Sequence, residues 1–314
     1  MIFPNYRADK RLFIFASLLF AFGLLCTFLH QRFDMRLDDS ELQAEFITRG
    51  IRVQAEVGYF LGDEAEFHRR LRYVSITDST KTDRPLIAFI HGAPSSTAFW
   101  LGLMSDSTLL ERADIIAVDR PGYGSSGYGR PLISVKDQAK LVADLLEDQL
   151  RPGQKLIVHG SSYGGTVSSR LAMDYPDMVD GLLLQSASTL RDFEKTFWIS
   201  YPTSNPILSW LVPGAIHTAN LEKLNHAGQL DELDAGPWSN VRAHTVILHG
   251  TADWLIYPEN AYYSCDRLDH AASLVHHMVP RGQHDFIITQ PKLLKTYLNY
   301  LLDRVEEGAS PVLS

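Results

Sequence analysis

The fold of this chain is decided by the stretch KLIVHGSSYGG at residues 155–165. Residues 155–160 form a short apolar run that predicts a buried strand, and a helical pattern follows it until Pro176. Between them lies a G-x-S-x-G pattern centred on Ser162, which would hold the serine hydroxyl above the sheet on a tight turn. Glycines at 160 and 164 would let the strand and the helix pack closely. The stretch therefore predicts a nucleophilic serine, against the alternative of an ordinary turn with a capping serine.

Short apolar runs alternate with amphipathic stretches on both sides of this motif. Because strands that alternate with helices form parallel sheets covered on both faces, the pattern predicts an α/β fold with a mostly parallel sheet. The predicted strands cover residues 51–60, 71–76, 86–91, 114–119, 155–160, 181–187, 244–250 and 273–279. The predicted helices cover residues 97–111, 134–150, about 161–175, 258–269 and about 290–306.

One interval, residues 189–243, interrupts this alternation with four prolines and no strand pattern. An insert of this length with aromatic and short helical pieces predicts a cap, or lid, over a site. The chain then divides into a core of residues 40–188 and 244–314 and a cap of residues 189–243. A second packing layer without a gating role is the alternative. Phe197, Trp198 and Trp210 would give the cap an apolar lining or its own small core.

A serine nucleophile needs a histidine base, which is itself oriented by a carboxylate. Asp253 follows the run 244–250 and His284 follows the run 273–279, so both would lie at the carboxyl edge of the sheet. The order serine, acid, histidine is the one found on such sheets. Asp285 is a competing acid, but it is too close to His284 in sequence to reach its ring easily. The competing bases His226, His276 and His277 lie in the predicted cap or inside a strand.

An oxyanion hole requires two backbone N–H groups near the developing negative charge. Tyr163, directly after the serine at a helix N-terminus, is expected to supply one of them. The loop 91–94 follows a predicted strand and is expected to supply the other. Pro94 has no N–H, so Ala93 is the predicted donor. A simple turn at the strand end is the alternative for this loop.

Five motifs occur in one order, at residues 91–94 (HGAP), 119–126 (DRPGYGSS), 160–165 (GSSYGG), 249–253 (HGTAD) and 282–284 (GQH). Together they closely resemble those of the α/β-hydrolase superfamily over about residues 50–305. The resemblance implies an eight-stranded sheet, a cap inserted after the sixth strand, and a catalytic triad of Ser162, Asp253 and His284. Haloalkane dehalogenases and epoxide hydrolases are partly similar, but they carry aspartate where this chain has Ser162. The resemblance to proline iminopeptidases is also partial, because their His-Gly-Gly-Pro-Gly element is His-Gly-Ala-Pro-Ser here.

The N-terminal residues 1–39 are predicted to be a membrane anchor. Residues 12–29 form a run of 18 residues without a charge, which at 1.5 Å per residue reaches about 27 Å. Three basic residues precede this run and two follow it, which weakly favours a cytoplasmic N-terminus. The sequence therefore predicts a single-pass membrane protein with its catalytic domain on the non-cytoplasmic side. A cleaved signal peptide and a buried helix are the alternatives.

The composition argues against other classes of protein. A net charge of −8 without a basic cluster argues against nucleic acid as a partner. The two cysteines, Cys26 and Cys265, cannot form a disulfide framework. Residues 122–127 match G-x-G-x-x-G, but the helix is expected to start only near Ser134, so a turn is predicted there rather than a dinucleotide site. No metal site and no cofactor are predicted.

These features predict a membrane-anchored serine hydrolase that cleaves a small or medium carboxylic ester through an acyl-enzyme. Its predicted partner is a small-molecule acyl substrate, and the sequence leaves the oligomeric state open. Amide, lactone, thioester and carbon–carbon substrates remain alternatives. A non-catalytic protein that binds a ligand on the same scaffold, or a structural membrane-tethered partner, is the rival class.

Overall fold

A computed structural model describes residues 6–33, 36–51, 54–62, 68–205 and 208–307. Within these ranges the chain builds one eight-stranded sheet, in the order β1-β2-β4-β3-β5-β6-β7-β8. The predicted eight-stranded, mostly parallel sheet is therefore confirmed. The strands are β1 (Gln54–Leu61), β2 (Arg70–Thr77), β3 (Leu86–Ile90), β4 (Asp114–Val118), β5 (Leu156–Ser161), β6 (Gly181–Gln185), β7 (His244–Gly250) and β8 (Ser273–Val279).

Strands β3 to β8 run parallel to one another, whereas β2 pairs antiparallel with both β1 and β4. The chain passes from β3 to β4 on one side and then returns to place β5 on the other side of β3. The strand order therefore reverses between β3 and β5. In open α/β sheets ligands bind in the crevice at the carboxyl ends of the strands at such a reversal.

Helices cover both faces of the sheet, which buries the strands on both sides. They are α1 (Tyr6–Phe33), α2 (Asp39–Thr48), α3 (Leu101–Met104), α4 (Ser107–Leu110), α5 (Val135–Gln149), α6 (Tyr163–Asp174), α7 (Ser200–Thr203), α8 (Gly214–Asp234), α9 (Glu259–Arg267), α10 (Phe286–Thr289) and α11 (Pro291–Glu307). Strand β3 illustrates the two-sided burial. Ala88 and Ile90 pack in the cluster with α5 and α6, and Ile87 and Phe89 pack in the cluster with α11. Parallel strands buried in this way read as continuous apolar runs.

The helix predicted over residues 97–111 is broken into three short pieces. A 3₁₀ turn at Thr97–Trp100 runs into α3, and α4 follows after a break at Ser105 and Asp106. The Asp106 carboxylate accepts hydrogen bonds from the N–H groups of Thr108 and Leu109, which starts a new helix there. The apolar spacing is compatible with one helix, but the N-cap at Asp106 starts a separate helix within it.

Helix α1 includes the run 12–29 that was predicted to span a membrane. In the part of the chain that the structure describes, no helix is both long and apolar enough to cross a bilayer. The predicted transmembrane helix within residues 1–39, the membrane as a partner and the single-pass location are therefore wrong. The prediction depended on a run of about 27 Å, which is below the ~30 Å thickness of a hydrocarbon core.

The segment 189–243 contains α7, α8 and 3₁₀ turns at Ser209–Leu211 and Trp238–Asn240. Helix α8 has 21 residues, longer than the short helical pieces expected for this segment. Its buried residues include Thr218, Glu222 and His226 beside Leu230 and Leu233, so polar groups face inward together with apolar ones. The division of the chain into a core and a cap stays a prediction.

Candidate active site

Ser162 lies on the sharp turn between β5 and α6. Its backbone adopts φ 55°, in the left-handed region that residues other than glycine rarely occupy. The Ser162 N–H donates to the Gln185 carbonyl at 2.9 Å, and the Ser162 carbonyl accepts from the Gly165 N–H at 2.8 Å. These two bonds hold the turn, while the side chain faces a cavity.

The glycines around Ser162 are required by close packing. A Cβ atom on Gly164 would collide with the carbonyl oxygens of Ile90 and His91 at the end of β3. A Cβ atom on Gly160 would collide with the Ser168 hydroxyl. The G-x-S-x-G pattern therefore lets α6 start directly against β3 and β5, which agrees with the packing predicted from the sequence.

Asp253 and His284 form a hydrogen-bonded pair at the carboxyl ends of β7 and β8. His284 Nδ1 lies 2.8 Å from Asp253 Oδ2, and the second oxygen, Oδ1, accepts from the N–H groups of Leu255 and Ile256 at 3.0 Å each. Burial raises the pKa of Asp253, but the hydrogen bond and charge of His284 and the Ile256 N–H outweigh it, so the pKa is lowered. The carboxylate is therefore ionised and fixed against the imidazole.

Backbone hydrogen bonds join the loop after β7 to the end of β8 and the loop that follows it, which brings Asp253 and His284 together. The Thr251 N–H donates to the Val279 carbonyl and the Ala252 N–H donates to the Gly282 carbonyl, both at 3.0 Å. A Cβ atom on Gly250 would overlap the Gly282 carbonyl, so the loops after β7 and β8 approach closely only because residue 250 is glycine. The separation of 31 residues between Asp253 and His284 is closed by these contacts.

The competing residues have other partners, although His226 lines the same cavity as Ser162 and packs against the Tyr163 ring. His277 contacts the Tyr297 hydroxyl, and the His276 ring packs edge-on against Tyr262. His226 Nδ1 donates to Glu194 Oε1 at 2.9 Å. The carboxylate hydrogen-bonded to His284 is that of Asp253 and not that of its neighbour Asp285.

The hydroxyl of Ser162 is not hydrogen-bonded to His284 in the described residues. The structure therefore brings together two of the three predicted triad members and places the third at the carboxyl end of β5, which is separated from β7 by β6. Nucleophile–base hydrogen bonds are often long without substrate and shorten in the reacting complex. Within the same described ranges no three His, Cys, Asp or Glu side chains are placed to hold a metal ion.

Buried side chains form hydrogen bonds with the backbone of the loop after β3. His91 Nε2 accepts from the Arg120 N–H at 3.0 Å, so the ring proton is on Nδ1, which donates to the Gly92 carbonyl at 2.7 Å. Arg120 Nη2 donates to the same carbonyl at 3.1 Å. In a trans peptide the C=O and the following N–H point in opposite directions, so the Ala93 N–H points away from Arg120. Ala93, Ser162 and Tyr163 line the same cavity.

Arg120 connects this loop to helix α8 through a buried ion pair. Its Nη1 and Nη2 atoms lie 2.7 and 3.2 Å from the two carboxylate oxygens of Glu222, and both side chains are fully buried. The Tyr123 hydroxyl donates to Glu222 Oε2 at 2.6 Å, and Gln138 Nε2 donates to Oε1 at 3.1 Å. Burial lowers the pKa of Arg120, but the Glu222 carboxylate outweighs it and raises the pKa overall. The arginine therefore stays charged where it is.

The cavity above Ser162 has a volume of about 360 Å³. One wall is apolar and is formed by Phe197, Ile199, Ile216, Leu255 and Ile256, among others. The segment 193–195 pairs with residues 255–257, which fixes the beginning of this wall beside the Asp253 loop. Of the three aromatic residues expected to line or fill the cap, Phe197 lines this cavity, whereas Trp198 and Trp210 are largely exposed and do not line it.

Several residues of the site were missed by sequence reasoning. Arg120 lies inside the motif 119–126, and this position is the one feature of the sequence that could have marked it as part of the site. Glu194, Glu222 and Lys223 lie in the segment 189–243, where no periodic pattern marked an inner face. Their partners are distant in sequence, and only the fold brings them together.

Comparisons with known proteins agree with this fold. A family model of the alpha/beta hydrolase fold matches residues 85–207. The chain is 34% identical to an uncharacterized protein of Mycobacterium tuberculosis over 103 residues, which are 33% of this chain and 29% of that protein. It is 32% identical to a pimeloyl-[acyl-carrier protein] methyl ester esterase of Proteus mirabilis over 102 residues, 32% of this chain and 36% of the esterase. The matches thus span about a third of the length of these curated relatives.

A solved structure extends the comparison to most of the chain. The peroxisomal alpha-beta-hydrolase of Saccharomyces cerevisiae superimposes with a TM-score of 0.64 and 16% identity, covering 84% of this chain and 92% of that one. At this identity the likeness concerns the fold alone. Together with the five ordered motifs and the family model, the eight-stranded sheet shows that the chain has the alpha/beta hydrolase fold.

Proposed function

We propose that this chain is a serine hydrolase that cleaves carboxylic esters through an acyl-enzyme. The observation that carries the proposal is Ser162 in a left-handed turn between strand and helix, with its side chain at the cavity. The buried Asp253–His284 pair supplies a base and the group that orients it. The methyl ester esterase among the relatives supports an ester as the substrate class.

In the proposed reaction Ser162 Oγ attacks the ester carbonyl carbon while its proton passes to His284 Nε2. The carbonyl oxygen becomes an oxyanion, for which the N–H groups of Tyr163 and Ala93 are the proposed donors. Asp253 accepts a hydrogen bond from His284 Nδ1–H, and its negative charge stabilises the imidazolium. When the tetrahedral intermediate collapses, the alcohol leaves with the proton from His284.

The second half of the reaction repeats these roles with water. His284 takes a proton from water as the oxygen attacks the acyl carbon, and returns that proton to Ser162 Oγ when the acid leaves. No other group is required to balance the reaction. Amides, lactones and thioesters fit the same two steps. A turnover assay that accompanies the labelling below therefore includes one substrate of each class beside the ester.

The test is labelling of the full chain with a fluorophosphonate, followed by intact mass and peptide mapping. We expect one adduct on Ser162, none in Ser162→Ala, and labelling slowed at least about 100-fold in His284→Ala. Ser161→Ala, one residue away on β5, is the matched control and should label at the wild-type rate. Equal labelling of folded Ser162→Ala would refute the nucleophile. Absence of both an adduct and ester turnover in folded wild type would favour a ligand-binding protein instead.

A further inference from the structure

One wall of the cavity carries a group of polar side chains, which contrasts with its apolar lining elsewhere. Asn220 and Lys223 come from α8, and Glu194 comes from the segment that pairs with residues 255–257. On a helix, residues three apart lie on the same face, so Asn220 and Lys223 face the cavity together with Ile216 and Ala219. The catalytic steps described above use none of these polar groups.

The Glu194 carboxylate is already fully engaged. Its Oε1 atom lies 2.5 Å from Lys223 Nζ and 2.9 Å from His226 Nδ1, and Oε2 accepts from the Ser188 hydroxyl at 3.0 Å. Burial raises the pKa of Glu194, but His226 and Lys223 outweigh it and lower the pKa to about 2. Burial lowers the pKa of Lys223 as well, against the effect of Glu194. The Glu194 carboxylate has three donor partners and is therefore ionised, and a charged Lys223 balances it.

Lys223 has hydrogen-bonding capacity left over. An ammonium group has three N–H donors, and among the described residues its hydrogen-bond acceptor is Glu194. The side chain is only 17% exposed, and Lys223 is one of the residues that line the cavity. Asn220 Nδ2 donates to the Thr203 hydroxyl at 2.7 Å, and Asn220 also lines the cavity. A buried donor without an acceptor is costly, so a ligand atom that accepts from Lys223 is favoured.

We infer that Lys223, supported by Glu194, forms a subsite for an uncharged oxygen acceptor on the acyl chain of the substrate. The inference rests on the proposed ester hydrolysis and names its substrate class: esters whose chain carries a ketone, ether or hydroxyl oxygen beyond the scissile carbonyl. A carboxylate is disfavoured there, because Glu194 already neutralises Lys223 and would repel a second negative charge. A purely apolar chain leaves the Lys223 donors unpaired.

The experiment compares p-nitrophenyl esters of equal chain length on the full chain. The series is hexanoate, 4-oxohexanoate, 5-oxohexanoate and the adipate monoester, which carries the charge. We expect kcat/KM of one oxo ester to exceed that of hexanoate and of the adipate monoester. Lys223→Met, which keeps the length and removes the donors, should lower the ratio of oxo ester to hexanoate about tenfold. Lys223→Gln, which keeps a neutral donor, should retain part of this preference.

Two controls make the result interpretable. Lys292→Met, on the exposed surface of α11, should leave the ratio unchanged. Lys195 also lines the cavity, so a ratio that responds to Lys195→Met and not to Lys223→Met would overturn the assignment. The rate of fluorophosphonate labelling, measured on each variant, reports whether Ser162 chemistry persists.

The outcome also separates the subsite from the proposed function. If wild type hydrolyses all four esters and Lys223→Met leaves their ratios unchanged, the subsite is refuted and the hydrolase remains. If no ester is turned over, binding of the oxo ester and hexanoate to Ser162→Ala, measured by calorimetry, still tests the subsite. Equal dissociation constants there would refute it without reference to catalysis.

Discussion

The segment 189–243 has two parts that are built in opposite ways. Helix α8 buries charged and polar side chains, among them Glu222 and His226, against the loops of the sheet. The part before it, residues 197–205 and 208–210, exposes large aromatic side chains, with Trp198 77% and Trp210 64% exposed. Both parts line the cavity above Ser162, through Phe197 on one side and Lys223 on the other.

The difference shows which part of the segment is tied to the proposed oxyanion loop. Glu222 holds Arg120, and Arg120 holds the carbonyls of His91 and Gly92, so α8 is connected to the Ala93 peptide through fully buried hydrogen bonds. The aromatic part has no comparable buried ion pair among the residues the structure describes. Substitution of Glu222, the α8 residue that holds Arg120, should therefore affect stability and catalysis together. Substitutions of the exposed aromatic side chains should affect stability little.

Glu222→Gln should have the largest effect. It leaves the buried Arg120 guanidinium without its counter-charge, which typically costs about 3–5 kcal/mol in unfolding free energy. Urea denaturation measures that loss. Glu232→Gln, on the exposed face of the same helix, is the matched control and should change the free energy by at most about 0.5 kcal/mol. A Glu222→Gln variant as stable as the control would show that the ion pair does not tie α8 to the sheet.

The acid dependence of stability should report on Glu194. Its pKa is lowered from 4.5 to about 2 in the folded chain, so its contribution is present above the unfolded pKa and is lost as pH falls from about 4.5 towards 2. A shift of this size corresponds to roughly 3 kcal/mol.

The measurement is the difference in unfolding free energy between wild type and Glu194→Gln across pH 6 to 2. We expect a difference that is constant above pH 5 and shrinks at lower pH. A difference that does not depend on pH would mean that the Glu194 carboxylate is not stabilised by His226 and Lys223.

Trp198→Ala should have the smallest effect on stability. The side chain is largely exposed, so its removal should change the free energy of unfolding by no more than about 0.5 kcal/mol. Thermal denaturation checks this, with Trp100→Ala, a fully buried tryptophan, as the contrasting variant at about 3–5 kcal/mol. If Trp198→Ala lost as much stability as Trp100→Ala, the aromatic part would be as firmly packed as α8.

The inner strands β3 to β7 were predictable because they are buried on both faces and read as continuous apolar runs. The predictions for residues 244–250 and 273–279 match β7 and β8 at both ends. The helix at residues 97–111 was predicted less well, because Asp106 starts a new helix inside an apolar pattern. Membrane spanning was predicted from the length of an apolar run alone, and the structure gives it no support.

The pair of Asp253 and His284 was predictable for a geometric reason. Each residue follows a predicted strand, and the carboxyl ends of parallel strands meet at one edge of the sheet. The ion pair of Arg120 and Glu222 was not predictable, because 102 residues separate them and no local pattern distinguishes Glu222 from an exposed glutamate. The same holds for Glu194 and Lys223, whose burial follows from how α8 lies over the sheet.

The sequence by itself determined the strand order along the chain, the strand–turn–helix around Ser162, and the acid and histidine that follow β7 and β8. Those features are local, because apolar runs, glycines and turns act over a few residues. Only the tertiary structure decided how α8 is held to the loop of Ala93 and which polar groups face the cavity. Buried charges must find partners wherever the fold brings them, and that pairing depends on contacts between residues far apart in the chain.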